Sequence, residues 1–134
     1  MAWKPLLSTL WVAVSLNYVF RFLFSLYNPE RLRQVLDGSM HGLKLTEGTL
    51  LALSLVMELP IVMIVASRLL PDKAVMICGL VVALLLAVVH LTSLNPTGVS
   101  LHYYFFTAVG LVLYAGISTA TIIWWTRQPA PVPN

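Results

Sequence analysis

Four apolar runs, each long enough to cross a lipid bilayer, limit the possible folds of this chain more than any other feature. They cover roughly 6–26, 50–70, 74–94 and 101–125. A transmembrane helix needs about 20 apolar residues, and a helix satisfies its own backbone hydrogen bonds in lipid. We therefore predict an all-α polytopic membrane protein, an antiparallel four-transmembrane-helix bundle with helices over about 5–27, 47–69, 73–94 and 101–126.

The composition leaves little chain outside the membrane. Of the 134 residues, 59% are hydrophobic and 10% are charged, against about 45–50% and about 25% in soluble domains. We expect one domain, 1–134, whose last residues, 128–134, form a flexible proline-rich tail. Because a soluble catalytic domain or nucleotide-binding fold has no room, any activity must reside in the bundle or its short loops.

The net charge of +3 comes from basic residues spread over several loops. This distribution is typical of membrane topology and of contact with lipid headgroups. We therefore expect the lipid bilayer, and no nucleic acid, as a partner. The single cysteine, Cys78, excludes an intramolecular disulfide and a CxxC redox site. No cofactor or metal site is expected, because the three histidines lack the spacing of metal ligands.

Lys and Arg residues also predict the orientation. The side with both termini carries four of them and the opposite side carries three: Lys4, Arg68, Lys73 and Arg127 against Arg31, Arg33 and Lys44. The positive-inside rule then predicts cytoplasmic termini. A bacterial inner membrane is the expected location.

The first loop holds a short basic amphipathic segment, 29–36. Pro29 suits the first turn of a helix, and Leu32, Val35 and Leu36 share one face. This segment is expected either to lie along the membrane surface or to cap the bundle as an ordinary loop helix.

Glu58 is the most unusual residue, since it lies in the middle of the second apolar run, two positions before Pro60. An ionisable group at mid-membrane is costly and marks a candidate functional site. Pro60 removes a backbone donor and predicts a kink in the second span.

Of the other polar side chains inside the spans, four join Glu58 as candidate site residues: Asn17, Arg21, His90 and Tyr114. Counted from the side opposite the termini at 1.5 Å per residue, Arg21 lies ~9 Å deep, Asn17 ~15 Å, Glu58 ~16 Å, His90 ~6 Å and Tyr114 ~20 Å. These depths predict a polar cleft that opens to one side and has Glu58 at its floor. His90 alternatively serves as an interfacial histidine, and Tyr103 and Tyr104 are expected in an interfacial aromatic belt.

Two states of Glu58 would lower the free-energy cost of placing its carboxyl group in lipid. One is an Arg21–Glu58 pair within the bundle. The other is a protonated Glu58, since desolvation disfavours the charged form. Arg21 could instead extend its charge to the interface. A structural pair and a ligand or proton site both remain open.

The segment 55–71, Leu-Val-Met-Glu-Leu-Pro through Ser-Arg-Leu-Leu-Pro, resembles a motif of an uncharacterised family of short bacterial four-helix membrane proteins. In that family a Met-Glu-Ile-Pro-like stretch precedes a Ser-Arg-x-Leu-Pro helix end. Asn17, Tyr18 and Pro29 match its pattern as well. The broader architecture is similar to that of small DoxX-like proteins. The resemblance implies the fold and no assigned biochemistry.

Three functions fit the sequence. The first is a proton-linked carrier or ligand-binding bundle with ligand- or proton-binding residues Glu58, Arg21, Asn17, His90 and Tyr114. The second is a non-enzymatic accessory or scaffold subunit of a membrane complex. The third, less favoured, is a membrane-embedded lipid or quinone enzyme, for which no catalytic residues can be assigned. Small residues of the last span, such as Gly110 and Gly116, would permit close contact within the chain or in a homo-oligomer.

Overall fold

The computed structural model describes residues 2–40, 42–94 and 100–128. The elements, in chain order, are α1 (Trp3–Leu26), α2 (Pro29–Leu36), β1 (Ser39–Met40), β2 (Leu43–Lys44), α3 (Glu47–Leu69), α4 (Asp72–Thr92) and α5 (Leu101–Thr126). The four long helices are each long and apolar enough to span a membrane. The all-α class with four spans is therefore confirmed.

Local signals set the helix ends. Asn28 caps α2, because its side chain accepts a hydrogen bond from the Glu30 backbone N–H at 3.0 Å, and Pro29 occupies the first turn. Thr46 caps α3 in the same way by accepting from Thr49 N–H at 3.2 Å. These side-chain oxygens satisfy backbone donors that the first turn of a helix leaves unpaired.

A two-stranded antiparallel hairpin, which the sequence pattern does not predict, follows α2. Ser39 pairs with Lys44 and Met40 with Leu43. The flanking Gly38 and Gly42 have φ of 72° and 79°, a left-handed conformation that glycine adopts without the cost of a Cβ. The predicted proline-rich tail, apart from Gln128, lies outside the described residues.

The bundle is arranged with α1 between α3 and α5, and with α4 packed against α5. The pair α3 and α4, although consecutive, is the least closely packed of the neighbouring long helices. At the end near the termini, Lys4 ties α1 to the α3–α4 turn. Its Nζ donates to the Leu70 carbonyl at 2.9 Å and lies 2.8 Å from an Asp72 carboxylate oxygen.

Buried side chains divide the interior into two halves. The half nearer the termini is mainly apolar and holds a core that includes Leu7, Trp11, Met63, Val75 and Ile117. The small hydroxyl side chains buried there donate to backbone carbonyls: Ser8, Ser67 and Thr121. The opposite half contains most of the large buried polar side chains, namely Asn17, Arg21, His90 and Thr107, together with Tyr103. The candidate site therefore lies on the side away from the termini.

Candidate functional site

His90 lies at the centre of the polar half and is fully buried. Its Nδ1 is 3.2 Å from each of the hydroxyl oxygens of Tyr18 on α1 and Tyr114 on α5. It is also 3.2 Å from the carbonyl oxygen of Leu86 in the preceding turn of α4. A protonated Nδ1 donates to one of these oxygens, and an unprotonated one accepts from a tyrosine hydroxyl. This cluster joins three helices through one imidazole ring.

The two tyrosine rings also fix the plane of the imidazole. The Tyr18 ring centroid lies 4.8 Å from that of His90 at an interplanar angle of 81°. The Tyr114 ring lies at 5.3 Å and 72°. Both are edge-to-face contacts, the arrangement that aromatic rings prefer. The ring of His90 is therefore held from both sides.

The other imidazole nitrogen, Nε2, is buried and has no hydrogen-bond partner among the described residues. It faces Gly110 of α5, where an added Cβ would lie 3.1 Å from His90 Nε2 and 3.2 Å from Asn17 Nδ2. Asn17 itself donates from Nδ2 to the Phe106 carbonyl at 3.0 Å. Gly110 thus lets α5 approach the two polar side chains closely.

Arg21 lies one turn beyond Asn17 on α1 and is only 8% exposed. Its Nη2 donates to Ser93 Oγ at 2.7 Å, and Ser93 Oγ donates to the His90 carbonyl at 2.7 Å. The guanidinium lies over the ring of Tyr103, 4.1 Å from its centroid, within cation–π range. The guanidinium is therefore turned into the bundle and lies at the level where α4 ends and α5 begins.

The Arg21–Glu58 pair, one of the two alternatives for Glu58, does not form in the structure. Arg21 sits on the face of α1 that is turned toward α4 and α5, whereas Glu58 is exposed on the outer surface of α3. Glu58 makes no hydrogen bond or ion pair with any described residue. It lines a groove on the outside of the bundle, between α1 and α3. Glu58 is thus not the floor of the polar cleft.

The depth estimates also need correction, because His90 contacts Tyr114 although their counted depths differ by more than two turns. The count assumed that all spans end at one level. In the structure α5 has 26 residues and α4 has 21, so α5 can begin farther from the membrane centre. His90 is the fully buried centre of the cluster, and its depth in a membrane stays a prediction.

A cavity of about 150 Å³ lies beside Arg21. Its lining comes from α1, the hairpin and the other three long helices: Tyr18, Arg21, Phe22, Ser25, Met40, Leu53, Val56, Met57, Val89, Ser93 and Tyr103. The polar groups gather around Arg21, while the residues from α3 are all apolar. The cavity separates α3 from α4 at this end of the bundle.

All five acidic residues of the chain lie in the described part. The one ion pair found there joins Lys4 to Asp72, so Arg21 has a hydroxyl and an aromatic face as neighbours but no carboxylate. Within the same ranges, no three His, Cys, Asp or Glu side chains form a possible metal site. The arrangement offers a buried cation beside a cavity and a neutral hydrogen-bonding cluster behind it.

Sequence reasoning therefore named Asn17, Arg21, His90 and Tyr114, which the structure brings together, and Glu58, which it does not. It missed Ser93 and the place of Tyr103 in the site, since Tyr103 was assigned to an aromatic belt but is 6% exposed. The prediction that Gly110 permits close contact within the chain is confirmed. Tyr18 was noted only as part of the Asn17-Tyr18 motif. Tyr103 and Ser93 belong to the site because the end of α4 lies beside the start of α5. The sequence alone does not show that these two helix ends are neighbours.

Residues 2–129 match the profile of a family of unknown function, DUF6326. The match covers nearly the whole sequence, so the chain belongs to this family. Neither a curated protein nor a solved structure gives a significant match.

Proposed function

We propose that this member of the family is a small integral membrane protein that binds an amphiphilic anion in the cavity beside Arg21. The anionic head would lie against the guanidinium, and the hydrocarbon part would contact the apolar walls. The ligand class follows from the charge and lining of the cavity.

The observation that supports this proposal most strongly is that the buried Arg21 has no counter-anion among the described residues. Arginine remains charged in proteins, and an ion removed from water costs several kcal/mol unless it is paired. A hydroxyl and a tyrosine ring offset only part of that cost. A carboxylate or phosphate in the cavity would supply the missing charge and could bind the planar guanidinium through two hydrogen bonds.

The walls suit a hydrocarbon chain. Four large apolar side chains line the cavity: Leu53, Val56 and Met57 of α3 and Phe22 of α1. Methionine is flexible and adapts to ligands of different shape. A short or medium-length acyl chain with an anionic head therefore matches the lining better than a polar metabolite does.

Binding is favoured over transport because the polar half of the interior has a closed end. Toward the termini, the cluster around His90 is followed by Leu86, Ala83 and Ile117, all almost fully buried. A proton-linked carrier would need a second conformation in which this apolar core opens. We also propose that the termini are cytoplasmic and that the membrane is a bacterial inner membrane. The cavity would then lie in the half of the bilayer that faces away from the cytoplasm. A DoxX-like relationship would be compatible with this arrangement.

Photoaffinity labelling tests the proposal. A decanoate probe that carries a diazirine near the end of its chain is added to the protein in nanodiscs, and labelled peptides are mapped by mass spectrometry. We expect labelling of the α3 segment that contains Leu53 and Met57. A decylamine probe of equal length that carries the same diazirine should label this segment much less, because its ammonium group is repelled by the guanidinium of Arg21.

Two variants complete the test. Arg21→Gln should reduce labelling of α3 by the decanoate probe about tenfold, the loss of a charge-assisted interaction. Met57→Trp fills the cavity without altering Arg21 and should also reduce labelling. Arg33→Gln, on the exposed face of α2, is the matched charge control. Equal labelling by the acid and the amine, or no effect of either cavity variant, would refute the proposal.

A further inference from the structure

We infer that the outer face of α3 is an interface with a second copy of this chain, in which the two Glu58 carboxyl groups hydrogen-bond to each other. The inference concerns the outside of the bundle and is independent of the cavity. It rests on the position of Glu58, on the exposed face of α3 and on the geometry of a symmetric membrane dimer.

Glu58 lies at the centre of its span. Eleven residue steps separate it from Glu47 and eleven from Leu69, the two ends of α3, which is ~16 Å on either side. A side chain cannot reach water over that distance. Ionisable residues at this depth almost always face a bundle interior or a water-filled cavity and have a partner. Because Glu58 is exposed on the single chain and makes no bond to a described residue, its surroundings are completed by another molecule.

The exposed face of α3 forms one continuous stripe that contains Glu58. Its apolar members are 54–77% exposed, and successive members are separated alternately by four and three positions: Leu51, Leu55, Glu58, Val62, Val65 and Leu69. This is the spacing at which two helices pack side by side in a left-handed pair. The buried residues of α3, Pro60, Met63 and Ser67, lie on the opposite face.

The stripe of α3 differs from the outer face of α4 in the ionisable residue that it holds. The outer face of α4 has the same spacing, with Ile77, Val81, Leu84, Val88 and Leu91, but all of these are apolar and suit lipid. In addition, only 11% of the hydrophobic window of α3 is buried within the chain, against 33% for each of the other three spans. A single polar residue in an apolar stripe is a known determinant of helix register and oligomeric state.

A second copy is the occupant that suits this face. Two copies in one membrane have the same orientation, so a two-fold axis along the membrane normal brings residues of equal depth together. Glu58 therefore meets Glu58 of the second copy, and two carboxyl groups that share or retain protons can hydrogen-bond where two carboxylates would repel. A different protein would need a polar group at the same depth, whereas a second copy always has one.

The shape of the surface agrees with this pairing. The groove that borders Glu58 has a volume of about 280 Å³, and its walls include Val19, Leu23 and Ile61. An apolar side chain from the α3 stripe of the second copy can enter this groove. Close packing of this kind, together with interhelical hydrogen bonds, stabilises helix association within lipid.

Cysteine cross-linking in membranes tests the interface. In a Cys78→Ala background, Leu55→Cys and Val62→Cys place thiols one turn on either side of Glu58. We expect both to give disulfide-linked dimers on oxidation with iodine. Leu84→Cys, equally exposed at 62% on α4, is the matched control and should remain monomeric.

A second measurement tests the role of the carboxyl group. Energy transfer between donor- and acceptor-labelled copies in liposomes should show association weakened about tenfold by Glu58→Leu, a loss typical of an interhelical hydrogen bond in lipid. Glu58→Gln should retain association, because its amide can both donate and accept. Since Glu58 lies on the outer surface, the bundle and the decanoate labelling should persist in both variants.

Three results would overturn the inference. They are cross-linking at Leu84→Cys as efficient as at the α3 positions, unchanged association of Glu58→Leu, and purified protein that stays monomeric in liposomes while the α3 cysteines cross-link to a different protein in cells.

Discussion

At the scale of single residues, the packing of the polar half depends on one glycine. Gly110 lies against His90 and Asn17, and the nearest polar atoms would be 3.1 and 3.2 Å from an added Cβ. Such distances are shorter than ordinary van der Waals contact, and both neighbours are held by contacts of their own. Glycine is therefore required here because α5 approaches the side chains of His90 and Asn17 closely, and not because of its backbone conformation.

Replacement of this glycine gives the first prediction. Gly110→Ala should lower the free energy of unfolding by about 1–3 kcal/mol, the usual cost of overpacking. Gly116→Ala, on the same helix and with no atom within 4 Å of the added Cβ, should be neutral or slightly stabilising. Unfolding by SDS titration in bicelles measures both. Equal effects of the two changes would contradict the described packing.

A second residue-scale prediction concerns the hydroxyl of Tyr114, which is buried against His90. Tyr114→Phe removes one hydrogen bond and should cost about 1 kcal/mol of stability. The same change at Tyr104, which is 47% exposed on α5, should have no measurable effect. The same SDS titration separates the two variants, and a neutral Tyr114→Phe would show that the hydroxyl contact is not stabilising.

Residue identity predicted the polar set but not its partners. Asn17, Arg21, His90 and Tyr114 are conspicuous because polar groups are rare in such runs. Which of them meet depends on the rotation of each helix about its axis, and a hydrophobic span with apolar residues on all sides carries little information about that rotation. The Arg21–Glu58 prediction failed for this reason.

At the scale of elements, helix ends were predictable where a cap or proline marks them. The segment 29–36 was predicted and forms α2 with the expected proline in its first turn. The hairpin of β1 and β2 was not predicted, because two residues per strand are too few for an alternating pattern. Gly38 and Gly42 carried the local signal for its turns.

The contact of Lys4 with the α3–α4 turn gives a prediction at this scale. Lys4→Met should cost up to about 1 kcal/mol, since the group is partly exposed and such pairs contribute little. Asp72→Asn should cost a similar amount, and the double variant should cost less than the sum. A double-mutant cycle in bicelles measures this coupling, with Lys73→Met as the control on the neighbouring exposed lysine. Strict additivity would show that the pair is not formed.

At the scale of the whole molecule, the interior has an apolar half near the termini and a polar half with a cavity on the other side. This division predicts different access for water-soluble reagents. Ser25 lines the cavity, whereas Ser67 is fully buried in the apolar half and donates to the Met63 carbonyl at 2.6 Å.

In a Cys78→Ala background, Ser25→Cys should react with a charged methanethiosulfonate reagent, and from one side of sealed vesicles only. Ser67→Cys should resist the reagent from both sides until the protein is unfolded. Mass shifts of the intact protein report the reaction. Modification of both cysteines at equal rates would mean that the apolar half is open to water.

The separation of α3 from α4 beside the cavity bears on how a ligand would arrive. Met40 of the hairpin contributes to the lining. In a membrane, the flank between the two helices would face the acyl chains of the surrounding leaflet. A hydrophobic ligand that enters through that flank partitions into the bilayer first. Occupancy of the cavity would then follow the mole fraction of the ligand among the lipids, so that the same protein would be loaded differently in membranes of different lipid composition.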